Sequence, residues 1–206
     1  MSATLNENRC RLLGASFRFQ RRISLEMDWQ PMSKHKNLIL VGFMGTGKTV
    51  VGQAAARALG FDYVDSDDLI ERKAGKTISR IFAEDGEPHF RDLETEAIRS
   101  LAALDRHVVA TGGGCVLRDE NWEAMGRAGL VVCLAARPEI ILERTRRESH
   151  RPLLQTPDPM ARICELLARR APFYARADYT IDTSNLSVDE IVARLLRVWE
   201  ESKKDM

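Results

Sequence analysis

The segment from Gly42 to Thr49 constrains the fold more than any other part of the chain. It reads Gly-Phe-Met-Gly-Thr-Gly-Lys-Thr and fits the pattern G-x-x-x-x-G-K-[ST]. Its glycines permit positive φ angles, and its N–H groups and the following helix N-terminus attract the negative charge of a polyphosphate. An apolar run, 38–41, precedes the loop and a helical pattern, 48–59, follows it. This strand–loop–helix context favours a phosphate-binding loop over a glycine-rich turn that merely exposes a lysine.

The rest of the chain alternates short apolar runs with helical patterns, which predicts an α/β fold with a five-stranded parallel sheet. Helical character is expected from Asp68 to about Leu104 with breaks at Gly75 and Gly86, then from near Pro138, and again after the capping box Ser187–Glu190. The five expected strands are 38–41, 61–64, 108–110, 130–134 and 180–182. We predict one domain over residues 37–206.

The charge balance argues against several classes of partner. The chain has 206 residues, with 31 basic and 30 acidic side chains and a formal net charge of +1, so it carries no electrostatic footprint for nucleic acid or an anionic membrane. No apolar stretch approaches the ~20 residues needed to span a bilayer. Its four cysteines form no C-x-x-C pair, which leaves a zinc site without support. We expect a cytoplasmic protein, a monomer, with a small-molecule ligand and no nucleic-acid or membrane partner.

Residues 1–36 differ from the rest of the chain, because they contain seven basic residues and three acidic ones. An arginine-rich, acid-poor segment is compatible with a transit peptide. It is also compatible with an ordered appendage, with a disordered extension, or with translation starting at Met32. We interpret residues 1–36 as an N-terminal extension that is disordered or lies before the true start.

A phosphate-binding loop alone is compatible with a kinase, a GTPase, an ATPase motor or a nucleotide-gated binding module. The chain has no N-K-x-D guanine signature, and no apolar strand ending in a motor-type aspartate follows the loop. Instead, Asp65-Ser66-Asp67 directly follows the second expected strand. In an open parallel sheet the ligand binds at that carboxyl edge, which favours a kinase.

Six stretches, taken in order and with their spacing, resemble the shikimate kinase family. They are Gly42–Thr49, Asp65–Asp67 with Ile70-Glu71, Phe90-Arg91 with Glu94, Gly112–Gly114, Arg151–Leu154 and Arg170–Tyr174. The resemblance runs from Leu38 to about Trp199. It implies a three-layer P-loop kinase fold, its five-stranded parallel sheet flanked by helices, plus a lid. It also implies ATP-dependent phosphorylation of the 3-hydroxyl of shikimate, in aromatic amino-acid biosynthesis.

The nucleotide and its metal ion would be bound by the loop and its surroundings. Lys48 is expected on the β- and γ-phosphates, and the Thr49 hydroxyl on Mg²⁺. Asp65 is expected to reach Mg²⁺ through water, because this ion usually keeps several waters. The expected ATP-binding residues are Gly45, Thr46, Gly47, Lys48, Thr49, Val50 and Arg151.

The acceptor would be held by cations and by hydrogen-bond acceptors. Arg91 and Arg170 are expected to clamp the shikimate carboxylate, although surface salt bridges are their alternative role. Asp67 is expected to accept the proton, or at least the hydrogen bond, of the attacking hydroxyl. The alternative for the acidic pair is a helix N-cap at Asp67 or Asp68.

Three glycines and one glutamate are also expected beside the acceptor. Gly112, Gly113 and Gly114 are expected to let the backbone approach the substrate ring, with a purely structural turn as the alternative. Glu94 is expected to hold Arg91 in place as an i,i+3 partner.

The stretch 148–159 has the polar, proline-containing composition of a lid. Arg151 within it is expected to act as an arginine finger on the phosphates. Arg144 either helps with phosphate charge or is an exposed helical arginine. The catalytic residues are therefore predicted to be Asp67, Lys48 and Arg151. Two other functions stay open: a kinase for another polyol acid such as gluconate, and a non-catalytic nucleotide-binding module.

Overall fold

The computed structural model describes residues 36–146 and 156–204, which fold around one five-stranded sheet. The strands are β1 (Asn37–Val41), β2 (Asp62–Asp65), β3 (His107–Ala110), β4 (Gly129–Ala135) and β5 (Tyr179–Asp182). The longer helices are α1 (Lys48–Leu59), α2 (Ser66–Ala74), α3 (Ile78–Glu84), α4 (Gly86–Ser100), α5 (Asp119–Ala128), α6 (Pro138–Thr145), α7 (Pro159–Tyr174) and α8 (Val188–Lys204). Two short 3₁₀ helices cover Leu101–Ala103 and Cys115–Leu117.

All four strand pairings are parallel, and the strand order is β2-β3-β1-β4-β5. This order confirms the predicted five-stranded parallel sheet. It also places the carboxyl ends of β2, β3 and β1 side by side at one edge. The acidic residues after β2, the glycines after β3 and the loop after β1 therefore meet there, at the position where open α/β sheets bind their ligands.

The side chains of β1 alternate between two apolar cores, one on each face of the sheet. Ile39 and Val41 join the core that contains residues of α4 to α7. Leu38 and Leu40 join the core formed with α1 and α8. Because the central strand is fully buried on both faces, it reads as a continuous apolar run rather than as an alternating one.

Helices α2, α3 and α4 form a smaller unit beside the sheet. Ile70, Ile81 and Phe90 make up its own buried cluster, apart from the two main cores. The phenyl rings of Phe82 and Phe90 lie 4.6 Å apart between centroids. This unit carries the side chains that follow β2 and Arg91 of α4.

Several strand ends lie one residue from their predicted positions. The second strand is shifted one residue toward the C-terminus, and α2 begins at Ser66 rather than at Asp68. Helix α5, Asp119–Ala128, was not predicted. It is stabilised by tertiary contacts at its start, where Trp122 Nε1 donates to the Val116 carbonyl and Asn121 Nδ2 donates to the Cys115 carbonyl, both at 2.8 Å.

Candidate active site

The loop between β1 and α1 has the backbone shape of an anion cradle. Gly42, Gly45 and Gly47 all have positive φ angles, of 143°, 75° and 94°. A Cβ on Gly42 would lie 2.2 Å from the Leu134 carbonyl oxygen, so a side chain is excluded there by space as well as by conformation. Gly47 caps α1 without any side-chain hydrogen bond. The N–H groups at the start of this twelve-residue helix are therefore left for an anion.

The predicted nucleotide-binding residues from Gly45 to Val50 lie together on this loop and the first turn of α1. Lys48 Nζ donates to the carbonyls of Gly42 and Phe43, at 2.9 and 3.0 Å, which holds the ammonium group inside the cradle. Thr46 is buried, and its hydroxyl donates to the Phe43 carbonyl at 2.8 Å. Thr49 and Val50 are exposed on the first turn of α1.

Arg144 contacts the phosphate-binding loop and is not the exposed helical arginine of one of its two expected roles. It is half-buried on α6, and its guanidinium donates to the Gly45 carbonyl at 3.3 Å and to the Thr183 carbonyl at 2.9 Å. Thr183 is fully buried, and its hydroxyl in turn donates to the Thr46 carbonyl at 3.2 Å. Sequence reasoning missed Thr183, whose only signal was its position directly after β5 at the same sheet edge.

Asp65 is the N-cap of α2. Its Oδ1 accepts a hydrogen bond from the Asp67 backbone N–H at 3.0 Å, and its Oδ2 accepts one from the Tyr63 hydroxyl at 3.2 Å. The alternative in which Asp67 or Asp68 is the N-cap does not hold, because the helix starts at Ser66 and the Asp67 N–H donates to Asp65. The capping role leaves the half-buried Asp67 in the first turn, facing the carboxyl edge of the sheet.

Burial raises the pKa of the Asp65 carboxyl above its ordinary value, while the hydrogen bond from Asp67 and the charge of Lys48 act in the opposite direction. Burial and the Asp65 charge likewise raise the pKa of the Tyr63 hydroxyl, which therefore keeps its proton. The neighbouring Thr49 side chain acts in the opposite direction and lowers this pKa. Sequence reasoning missed Tyr63, whose two-residue spacing from Asp65 on a strand was the available signal.

Arg91 is a nearly buried guanidinium held by two carboxylates of its own helix. Its Nη1 donates to Glu94 Oε2 at 2.9 Å, and its Nε and Nη2 donate to Glu87 Oε1 at 3.2 and 3.0 Å. The i,i+3 pairing expected between Arg91 and Glu94 is present. A Cβ on Gly114 would lie 2.4 Å from Nη1, so the guanidinium packs directly against that glycine.

Glu94 and Asp67 converge on Gly112. A Cβ on Gly112 would lie 2.7 Å from Asp67 Oδ1 and 3.1 Å from Glu94 Oε1. Glu94 is 1% exposed, and its Oε1 has no hydrogen-bond partner among the residues that the structure describes. Burial raises the pKa of Glu94, and the Asp67 charge raises it further against the lowering effect of Arg91.

Arg170 contacts both the glycines that follow β3 and the phosphate-binding loop. It is buried on α7, its Nη1 donates to the Gly113 carbonyl at 3.1 Å, and its guanidinium lies over the Phe43 ring at 5.4 Å from the centroid. The Tyr174 hydroxyl donates to the same carbonyl at 2.8 Å. Tyr174 was not predicted as a site residue, although it lies one helical turn after Arg170 on the same face.

Gly113 also contacts the phosphate-binding loop. A Cβ there would lie 3.3 Å from the Gly42 carbonyl oxygen and 3.6 Å from the Met44 nitrogen. The three consecutive glycines thus form a wall shared by the anion cradle and by the pocket of Asp67, Arg91 and Arg170. The structure brings these predicted residues to one edge of the sheet.

Arg151 and most of the predicted lid lie outside the described residues, as do residues 1–35 of the predicted N-terminal extension. The last four residues of the predicted lid, 156–159, are described. They lead into α7, where Asp158 is the N-cap and accepts a hydrogen bond from the Ala161 N–H at 3.0 Å.

A sequence model of the shikimate kinase family matches residues 44–200. The chain belongs to the shikimate kinase family. Curated shikimate kinases agree with this assignment over most of their length. The enzyme of Thermodesulfovibrio yellowstonii is 47% identical over 165 residues, covering 80% of this chain and 95% of that protein. The enzyme of Geobacter metallireducens is 48% identical over 163 residues, covering 79% and 91%.

Solved shikimate kinases have the same fold. The Acinetobacter baumannii shikimate kinase, in complex with shikimate, superposes with a TM-score of 0.78 at 40% identity, covering 82% of this chain and 95% of that one. The Bacteroides thetaiotaomicron enzyme gives a TM-score of 0.75 at 34% identity, covering 81% and 99%. These matches confirm the predicted P-loop kinase fold. They also favour shikimate kinase over the gluconate kinase and non-catalytic alternatives.

Among residues 36–146 and 156–204, no helix of this shikimate kinase family member is both long and apolar enough to cross a membrane.

Proposed function

We propose that this chain transfers the γ-phosphoryl group of ATP to the 3-hydroxyl of shikimate, giving shikimate 3-phosphate and ADP in aromatic amino-acid biosynthesis. The observation that carries the proposal is the wall formed by Gly112–Gly114. Gly113 packs against the phosphate-binding loop, and its carbonyl accepts a hydrogen bond from Arg170. A phosphate cradle and an arginine-lined pocket that share one wall place a phosphoryl donor beside an anionic alcohol.

In the nucleotide half, the loop N–H groups and the α1 N-terminus would receive the phosphates of ATP. Lys48 would exchange its present carbonyl partners for the β- and γ-phosphates, since its ammonium group already lies inside the cradle. The residues proposed to bind ATP are Gly45, Thr46, Gly47, Lys48, Thr49, Val50 and Arg151.

Mg²⁺ fits the residues beside this cradle. Thr49 offers a hydroxyl and Asp65 a carboxylate, both oxygen donors of the kind that Mg²⁺ prefers. The described residues contain no group of three or more histidine, cysteine, aspartate or glutamate side chains suited to a metal. Most ligands would therefore be phosphate and water oxygens, as is usual for this ion. When bound, Mg²⁺ supplies charge neutralisation for the phosphates.

In the acceptor half, Arg91 and Arg170 would bind the shikimate carboxylate, because a guanidinium offers two parallel donors to a carboxylate. Both are already held in place, Arg91 by Glu87 and Glu94, and Arg170 by the Gly113 carbonyl. The low exposure of these arginines limits competing hydration. A surface salt-bridge role alone does not account for a guanidinium that is 5% exposed, as Arg170 is.

Asp67 would orient the 3-hydroxyl and accept its proton. As the new O–P bond forms, the bond between the γ-phosphorus and the β,γ-bridging oxygen breaks, and ADP leaves with that oxygen. The hydroxyl proton passes to the Asp67 carboxylate. Because phosphoryl transfer depends mainly on positioning and charge neutralisation, the orienting role of Asp67 carries much of its effect.

Several parts of the proposal concern residues outside the described ranges or properties of the whole protein. We infer that residues 148–159 act as a lid that excludes water, and that Arg151 contacts the phosphates when the lid closes. We also infer that residues 1–36 are an extension of the catalytic domain, which covers 37–206. The protein is proposed to act as a cytoplasmic monomer without nucleic-acid or membrane partners.

A coupled assay of ADP release tests this function. The purified protein is given Mg²⁺ and ATP with shikimate, with gluconate, or with no acceptor. Shikimate is expected to stimulate ADP release strongly, while gluconate leaves it at the acceptor-free level. Equal rates in all three reactions would contradict the proposal, and stimulation by gluconate alone would assign a different acceptor.

A further inference from the structure

Tyr63 connects the two residues proposed for the magnesium site. Tyr63 and Asp65 are two positions apart on β2, so their side chains leave the same face of the strand. The Tyr63 hydroxyl donates to Asp65 Oδ2 at 3.2 Å, while Oδ1 of the same carboxylate accepts from the Asp67 N–H at 3.0 Å. Both oxygens of Asp65 are therefore held, and its carboxylate plane is fixed before any ligand arrives.

The Tyr63 ring reaches this position by lying across α1 at Gly52. A Cβ on Gly52 would be only 2.8 Å from Tyr63 Cε2, so the helix has room for the ring only because this residue lacks a side chain. Thr49 lies one turn earlier on the same helix, close enough to the Tyr63 hydroxyl to lower its pKa. The hydroxyl thus donates to Asp65 of the sheet and lies near Thr49 of the helix, two residues that are proposed to serve the same ion.

We propose that Tyr63 is a positioning residue for magnesium, whose hydroxyl fixes the Asp65 carboxylate beside the first turn of α1, where Thr49 lies. Groups that hold metal-binding residues by hydrogen bonds set ligand orientation and affinity, and their loss typically weakens metal binding about 10- to 100-fold. This inference rests on the proposed magnesium site. The alternative is that Tyr63 only packs, since its ring also lies against the core shared by α1 and α8.

Tyr63→Phe separates these roles, because it keeps the ring and removes only the hydroxyl. Mn²⁺, a paramagnetic substitute for Mg²⁺, is titrated into the protein with ADP, and free Mn²⁺ is followed by electron paramagnetic resonance. We expect Mn²⁺ binding to weaken on the order of tenfold, while ADP binding in the presence of a chelator stays unchanged. In the kinetic assay, the variant should need more Mg²⁺ for half-maximal rate and recover most of the wild-type rate at saturating Mg²⁺.

Tyr179→Phe is the matched control. It removes a tyrosine hydroxyl from the start of β5, at the opposite edge of the sheet from the phosphate-binding loop. Its Mn²⁺ affinity and turnover should equal those of the wild type. Unchanged Mn²⁺ affinity in Tyr63→Phe would overturn the inference. So would a loss of ADP binding without metal, because that would reveal a general disturbance of the loop.

Asp65→Asn distinguishes failure of this inference from failure of the magnesium site itself. If Asp65→Asn weakens Mn²⁺ binding and Tyr63→Phe does not, the metal site stands and the role of Tyr63 is refuted. If neither change affects Mn²⁺ binding, the proposed metal site is wrong. Weakening in both variants, with a double variant no worse than Asp65→Asn alone, supports the proposal, because residues that act through one another are not additive.

Discussion

Arg170 and Gly113 form the contact that joins the two halves of the site, with Arg170 Nη1 donating to the Gly113 carbonyl at 3.1 Å. Gly113 also packs against Gly42 and Met44 of the phosphate-binding loop. The arginine is buried and is supported by the Phe43 ring, also from that loop. A shift of Arg170, which is proposed to bind the acceptor, would therefore disturb the loop that is proposed to bind the nucleotide.

Arg170→Lys should raise the KM for shikimate while leaving the KM for ATP nearly unchanged. Lysine keeps the charge but loses the planar pair of donors that matches a carboxylate. Loss of one charge-assisted hydrogen bond corresponds to a roughly 10- to 100-fold increase. Steady-state kinetics with each substrate varied in turn provide the measurement. Arg169→Lys, the exposed neighbour on α7, is the control, and an equal effect in both variants would remove Arg170 from the acceptor pocket.

Asp67→Asn should lower kcat by roughly 10²- to 10⁴-fold, the range of a lost general base. Asparagine keeps the size of the side chain but does not accept the hydroxyl proton. ATP binding should persist, because the cradle lies on β1 and α1. Asp68→Asn, the exposed next residue, should keep the wild-type rate. A wild-type kcat in Asp67→Asn would show that another group orients the hydroxyl.

Gly114→Ala should damage acceptor binding by moving Arg91. Its new Cβ would stand 2.4 Å from Arg91 Nη1, and Gly114 itself has an ordinary negative φ of −99°. The expected result is a raised KM for shikimate with nearly normal ATP binding. Gly75→Ala is the contrasting variant, because a Cβ added at Gly75 would meet no atom within 4 Å. Its φ of 62° still makes any side chain unfavourable there. It should cost about 1 kcal/mol of stability and leave both KM values unchanged. The same kinetic defect in both variants would assign the effect to instability.

Glu94 gives a prediction for the pH dependence of stability. Its folded-state pKa is raised above the ordinary value, chiefly by burial, with Asp67 raising it and Arg91 and Arg118 lowering it. The native state therefore binds more protons than the unfolded state, so this residue's contribution is fully present below the ordinary glutamate pKa and is lost as pH rises through the raised value.

Replacing Glu94 with glutamine removes this titration. Urea unfolding of the wild type and of Glu94→Gln, at several values between about pH 4 and about pH 8, should show the wild type losing stability relative to the variant as pH rises. Comparison of the two proteins cancels the contribution of Asp65, whose pKa is also raised. A difference in unfolding free energy that is constant with pH, or that changes in the opposite direction, would contradict the raised pKa of Glu94.

The sequence was most informative where structure is set by local chemistry. The loop from Gly42 to Thr49 and its flanking elements were predictable, because glycine conformation and an apolar run determine them within a few residues. The N-cap was misplaced by two to three residues, since Asp65, Asp67 and Asp68 are all good caps and only the end of β2 selects Asp65. Helix α5 was missed because Asn121 and Gly126 lower its intrinsic propensity, and its stability comes from contacts with the preceding turn.

Contacts between distant segments were beyond sequence reasoning. Arg144 contacts Thr183 across 39 positions of the chain, and the contact exists only because β4 and β5 are neighbours in the sheet. In the sequence, Tyr63 could not be distinguished from an ordinary strand residue, because aromatic side chains are common in strands. Its role beside Asp65 depends on the space left by Gly52 on another element.

The phosphate cradle and the arginine-lined pocket are proposed to share one glycine wall, so that ATP and shikimate react beside each other. Phosphorus NMR of a reaction with ATP, Mg²⁺ and shikimate tests this claim most directly, because it follows the γ-phosphoryl group itself. We predict that the γ-phosphate signal is replaced by a phosphomonoester signal in equal amount with ADP, and that Lys48→Ala and omission of shikimate each prevent the change. Conversion of ATP to ADP and free inorganic phosphate, with no phosphomonoester formed, would contradict the account.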